Sequence, residues 1–151
     1  RLVVDDAHNV KEIESEVMRR EVTEWWDAAM STRGNNPKTV ARVIIGQRVH
    51  EADLCGHVLE RGTYEHLCLP AEYEPDHPFR RVTCIGYEDP RRREGDLLAP
   101  DRFGSAELAA LKIEMGSPLR VAGQLQQRPA PREGAIFRAE WMTLVEAVPV
   151  E

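Results

Sequence analysis

Arg1-Leu2-Val3-Val4-Asp5-Asp6-Ala7-His8 is a short apolar stretch that ends in two adjacent carboxylates. It reads as a buried strand. In an α/β sheet such a strand delivers its C-terminal side chains to the crevice at the sheet edge, where ligands bind. Asp5 and Asp6 are therefore the first candidate site residues. The chain begins on this element, and with Arg instead of Met, so the expectation is an excised or processed piece with something missing before it.

Downstream, Asn9 is placed to cap a helix running to about Met30. Met18, Val22, Trp25 and Ala29 recur at helical spacing, with Trp26 and Met30 widening the stripe. Gly34-Asn35-Asn36-Pro37 is a turn cluster. Residues 39–45 form a second apolar run ending at Gly46-Gln47-Arg48, and 52–60 a short helix closed by Gly62. Residues 64–69 read as a third strand stopped by Pro70, and 81–87 as a fourth, edge strand. Residues 89–103 are irregular. Ser105 is expected to cap a helix to Met115, closed by Gly116, and Ser117-Pro118 to open another that ends before Pro129. Phe137, Trp141 and Leu144 give the tail residues with which to pack on the body. The spans are one domain: 1–70 alternating strand and helix, 71–104 loop-rich, 105–128 two helices, 129–151 a closing tail. The early alternation argues for an α/β fold with a parallel sheet and right-handed crossovers.

At 151 residues the chain can bury a core. Its net charge of −6 argues against a bulk electrostatic grip on nucleic acid. Arg80-Arg81 and Arg91-Arg92-Arg93 are local exceptions. No apolar run is long enough for a membrane span, and no signal-peptide pattern opens the chain. The three cysteines, Cys55, Cys68 and Cys84, leave at least one unpaired, which fits a reducing compartment. Cys55-x-His57 and His66-x-Cys68 lack the usual zinc spacing, and read as unliganded core and surface residues. The tryptophans read mainly as core.

Several segments, in their order, resemble the large terminase subunit of tailed bacteriophages, the motor ATPase that packages DNA. Leu2-Val3-Val4-Asp5-Asp6-Ala7-His8 is similar to that family's Walker B strand. Glu14-Ser15-Glu16, Trp25 and Thr32-Arg33 are similar to the helix after it. The stretch from Val43 through Gly46-Gln47-Arg48-Val49-His50-Glu51 to His57 is similar to the next strand and the coupling motif. Leu67-Cys68-Leu69-Pro70-Ala71 is similar to the strand that follows. Glu94-Gly95-Asp96-Leu97-Leu98-Ala99-Pro100-Asp101-Arg102-Phe103 is similar to the family's Gly-Glu-x-Leu-x-Pro-Glu-Arg-Phe stretch. Gln124-Leu125-Gln126-Gln127-Arg128-Pro129, with Glu133–Phe137 and Trp141, is similar to the segment that closes the ATPase domain.

The resemblance implies a partial P-loop NTPase fold of the ASCE type, from Walker B to the end of the ATPase domain. It implies Mg²⁺ held at Asp5, water oriented or deprotonated by Asp6, and γ-phosphate sensed through Gln47 and Arg48. The implied cofactors are ATP and Mg²⁺. The implied partners are duplex DNA, the portal protein and the small terminase subunit, in a homo-oligomeric ring and with no membrane. The implied location is the cytoplasm of the bacterial host. The chain departs from the family at Ala7, where proline is usual, at Gln47, where threonine is usual, and at Ala52, an acidic position. No Gly-x-x-x-x-Gly-Lys-[Ser/Thr] occurs, so the Walker A half is absent and the isolated chain is expected to be inactive. The alternative is a truncated, non-catalytic docking module. A metal-dependent hydrolase built on Asp5, Asp6 and His8 is a remoter one. At single residues, Arg48 alternatively pairs with Glu51 or Asp53. Arg91, Arg92, Arg93 and Arg102 contact DNA or a neighbouring subunit, or else pair with the acids around them.

Overall fold

The computed structural model describes residues 1–129. Strands β1 (Leu2–Asp5) and β2 (Arg42–Ile45) pair in parallel, with Val3 opposite Val43 and Val4 opposite Ile44. The helices are α1 (Glu16–Trp25), α2 (Leu54–Glu60), α3 (Ser105–Met115) and α4 (Pro118–Arg120). Helices α1 and α4 continue into π-helical turns, Trp26–Met30 and Val121–Leu125. This is a small α/β fold: a two-stranded parallel sheet with flanking helices. A parallel pair needs a crossover connection instead of a tight turn, and α1 lies in that connection. The expected tail elements, including Phe137, Trp141 and Leu144, lie outside the described residues.

Side chains alternate across a strand, which decides where the core sits. Val4 and Ile44 share the face that packs on Trp26, Leu54 and Val58, with Val22, Met30 and Tyr64 around them. The Trp26 and Tyr64 rings meet with centroids 6.3 Å apart. The expected stripe through Trp25 is corrected here: Trp25 is 43% exposed and Trp26 3%. Val22, Trp26 and Met30 recur every four residues through the π-helical turn, so they form the inward row instead.

The helix expected from Asn9 starts later. Asn9 Oδ1 instead accepts from Lys11 N–H at 3.0 Å, making a local turn, and Ser15 caps α1. Both residues are good caps. The Asn9 turn lets Ile13 bury its side chain before the helix begins. Gly62 and Gly116 do close α2 and α3 with left-handed backbones, φ 65° and 62°. The residue before α3 is Gly104, and Ser105 is the first helical residue.

The third and fourth strands do not form. Residues 64–69 run beside β2 without pairing to it, and have no other strand to pair with among the described residues. Residues 81–87 hold a tight turn, in which Thr83 N–H donates to Tyr87 O at 2.8 Å and Gly86 N–H to Thr83 O at 2.9 Å. The segment 71–98 is pinned by an antiparallel bridge between Glu72 and Leu97 and by Ala71 N–H donating to Leu125 O at 2.7 Å.

Arg91 staples this loop. It pairs with Asp89 at 2.7 Å and donates to Pro70 O at 2.8 Å and Asp96 O at 2.9 Å. Arg92 pairs with Glu88 at 2.6 Å and Arg93 with Asp96 at 3.5 Å. The basic run is thus paired with its acidic neighbours. Among the described residues, no helix is long and apolar enough to cross a membrane.

Candidate functional site

The C-terminal ends of β1 and β2 lie side by side because Asp6 N–H extends the ladder, donating to Ile45 O at 3.0 Å. A crevice of about 100 Å³ opens there, lined by Asp6, His8, Gly46, Gln47, Asp53 and Cys55 among others. The structure therefore brings Asp6 and Gln47 together. Asp5 is the exposed residue just before, at the strand end on the opposite sheet face, and does not line the crevice.

Asp6 has φ 44°, the left-handed region that L side chains rarely adopt. Held strain of this kind clusters at functional positions. Replacing Asp6 with glycine is expected to raise stability by up to about 1 kcal/mol, read as a higher midpoint in thermal unfolding. An unchanged or lower midpoint would show that the carboxylate itself stabilises the strand end.

Arg48 does not line the crevice. It is buried, and its Nε lies 3.1 and 3.0 Å from the two Asp53 carboxylate oxygens. Its outer nitrogen donates to Glu51 O at 3.3 Å, and its guanidinium sits 5.7 Å from the centre of the Phe79 ring. Of the two readings of Arg48, pairing with Asp53 is the one this geometry holds.

Asp53 is the hub of the segment and is 1% exposed. Besides Arg48, its carboxylate accepts from Val49 N–H at 3.2 Å and from Gly56 N–H at 2.8 Å, capping α2. The C-terminal segment closes on the same place. Gln127 Oε1 accepts from Arg48 N–H at 3.2 Å, and a Cβ on Gly123 would meet Arg48 O at 2.6 Å.

His8 serves the same helix. Its Nε2 accepts from Leu54 N–H at 2.7 Å, which puts its proton on Nδ1. Burial holds its pKa below the usual histidine value, in keeping with a neutral ring. Burial also pushes the Cys55 and Cys68 thiols up to about 11, in keeping with protonated thiols. Burial lowers the His66 pKa to about 4.

Among the described residues no group of three or more His, Cys, Asp or Glu is placed to hold a metal ion. Of the two carboxylates Asp6 alone lines the crevice, and one carboxylate together with waters and substrate phosphates is enough for Mg²⁺. They do not fit zinc, which takes three or four protein ligands.

Two contributors to this region, His8 and Asp53, were less visible in the sequence. His8 acts on a backbone 46 residues away, which no local pattern reveals. Asp53 had a signal, an acid directly before the apolar helix start at Leu54. Compared with models of protein families, with curated proteins and with solved structures, the chain matches none of them.

Proposed function

We propose that this chain is the Walker B half of a DNA-packaging ATPase like the large terminase subunit of tailed bacteriophages. One observation carries the reading: Asp6 and Gln47 converge on a crevice at the C-terminal ends of two parallel strands, with Asp5 adjacent. That is where an α/β sheet places its ligand. The segment order set out above supports it.

In this reading Asp5, which stands beside the crevice and does not line it, would help hold Mg²⁺ through bound water, and Asp6 would orient or deprotonate the attacking water. Bound Mg²⁺ would neutralise charge on the phosphates. Gln47, which lines the crevice, would sense the γ-phosphate. Arg48, tied to Asp53, Gln127 and the backbone of Glu51, is a positioning residue that links the crevice to α2 and to the C-terminal segment. ATP hydrolysis is completed only by a separate phosphate-gripping half, and then drives duplex DNA into a capsid. Portal protein, small terminase subunit and a homo-oligomeric ring belong to that motor, in the bacterial host cytoplasm.

Calorimetric titration of Mg·ATP into the chain tests the division of labour. No saturable binding tighter than millimolar is expected, because nothing among the described residues cradles the phosphates. Tight saturable binding would overturn the proposal that the grip is supplied elsewhere.

A second reading is a non-catalytic docking module. The pairing of Arg48 with Asp53 favours it, because that guanidinium is already neutralised. A cooperative melt of a monomer, unchanged by nucleotide, is its signature.

A further inference from the structure

Asp6 lines the crevice, and among the described residues its carboxylate accepts no hydrogen bond. A Cβ on Gly46, also of the crevice lining, would lie 3.7 Å from Asp6 Oδ1. The direction of this carboxylate is therefore set by the backbone that carries it. That backbone has φ 44°, which an L residue holds only where its surroundings over-determine it.

Three successive residues each contribute an anchor. Asp6 N–H donates to Ile45 O at 3.0 Å, which fixes the chain on the strand side. Ala7 packs against the core cluster of Val4, Trp26, Leu54 and Val58. His8 Nε2 accepts from Leu54 N–H at 2.7 Å. A ladder bond and a methyl contact leave the chain more than one way out of Ala7. The His8 bond removes that freedom, so the turn through Asp6 is clamped at both ends.

The donor matters as much as the acceptor. Leu54 is the first residue of α2, and a helix gives its first amides no partner of its own. Asp53 takes the Gly56 amide and His8 takes the Leu54 amide. Helix α2 is thus capped from two directions, by the carboxylate beside it in sequence and by an imidazole 46 residues away. That same carboxylate holds Arg48. One bond therefore joins the strand that carries Asp6 to the segment that holds Arg48.

We propose that His8 is the positioning residue of the crevice: through Leu54 N–H it keeps the turn at Asp6 left-handed, keeps the Asp6 carboxylate at the crevice, and ties it to the start of α2. The role is mechanical and needs no contact between His8 and a substrate. A displacement of α2, and of the Arg48–Asp53 pair at its start, is then felt at Asp6 through a single bond. What Asp6 does once held, orienting or deprotonating water, rests on the ATPase reading. How it is held does not.

Nuclear magnetic resonance of the full chain tests it, read at the Asp6 HN–Hα coupling, which reports φ, and at the Leu54 amide exchange rate. Glutamine sets its Oε1 as many bonds from Cα as histidine sets Nε2, and asparagine falls one bond short. His8→Asn is expected to move the Asp6 coupling away from the left-handed value and to speed Leu54 exchange about tenfold. His8→Gln should keep both at the parent values. An ester in place of the Leu54 amide removes the donor and leaves both side chains intact, and it should move Asp6 as His8→Asn does. An Asp6 coupling unmoved by the ester overturns the proposal. So does a His8→Gln chain that behaves like His8→Asn, which would make the imidazole a packing group. Failure of the ATPase reading would show instead as a start codon with no phosphate-binding motif upstream, with Asp6 still held by His8.

Discussion

Asp53→Ala is expected to destabilise the chain by about 3–5 kcal/mol, the cost of breaking a buried pair from one side. The Arg48 guanidinium stays charged at any accessible pH, and its side chain is only 6% exposed. Removing Asp53 leaves that charge buried opposite nothing, and strips the cap from α2, worth about 1 kcal/mol by itself. Domains of this size hold about 5–15 kcal/mol in total, so a large part of the stability goes. Asp53→Asn keeps a good cap and isolates the charge, and should cost less than Asp53→Ala. Adding Arg48→Met to Asp53→Ala should recover part of the loss, because no charge is then stranded. Urea unfolding of the single and double variants reads all three values. An Asp53→Ala variant as stable as the parent would mean that Arg48 is solvated and the hub is not closed.

Gly56→Ala is the second large effect, and its sign runs against helix propensity. Alanine in place of glycine inside a helix normally gains about 0.5–1 kcal/mol. At Gly56 the new Cβ would lie 1.9 Å from Glu51 O and 3.1 Å from an Arg48 guanidinium nitrogen. The first neighbour is backbone, so relief requires moving the turn that carries Arg48 to Asp53. Overpacking of this kind costs about 1–3 kcal/mol or more, and a net loss of about 2 kcal/mol is expected. Because the displaced turn holds the Arg48–Asp53 pair, the loss should shrink in an Asp53→Ala background, a coupling that a double-mutant cycle measures. A stabilising Gly56→Ala would show that α2 and the turn sit further apart.

The elements legible in the sequence are those fixed by local chemistry. Gly62 and Gly116 end helices because a left-handed residue is needed there. Ser117-Pro118 opens a helix because proline needs no hydrogen-bond partner at the first position. Val4 and Ile44 mark the two paired strands. The misread elements depend on contacts distant in sequence. Residues 64–69 have the composition of a strand, yet a strand forms only with a partner, and β2 stands across a cleft from them. Trp25 and Trp26 are equivalent by helical spacing, and only the π-helical turn decides which faces the core. In the site, the place of Asp6 at the end of β1 was legible from its strand, whereas Asp5 lies off the crevice. For Arg48 the sequence left two uses open, and the buried carboxylate five residues on is the one that holds its guanidinium. The arginines of 91–93 show the same competition, and the nearby acids that the sequence offers as their partners claim the run.

As proposed here, Asp5 and Asp6 belong to an ATP site whose phosphate grip is encoded next to them. Sequencing the DNA immediately upstream of the Arg1 codon tests it most directly. An in-frame strand followed by Gly-x-x-x-x-Gly-Lys-[Ser/Thr] is expected there, the cradle these carboxylates require. A start codon with no such motif before it would rule out the ATP site, and would leave a docking module whose two acids are only a solvated strand end.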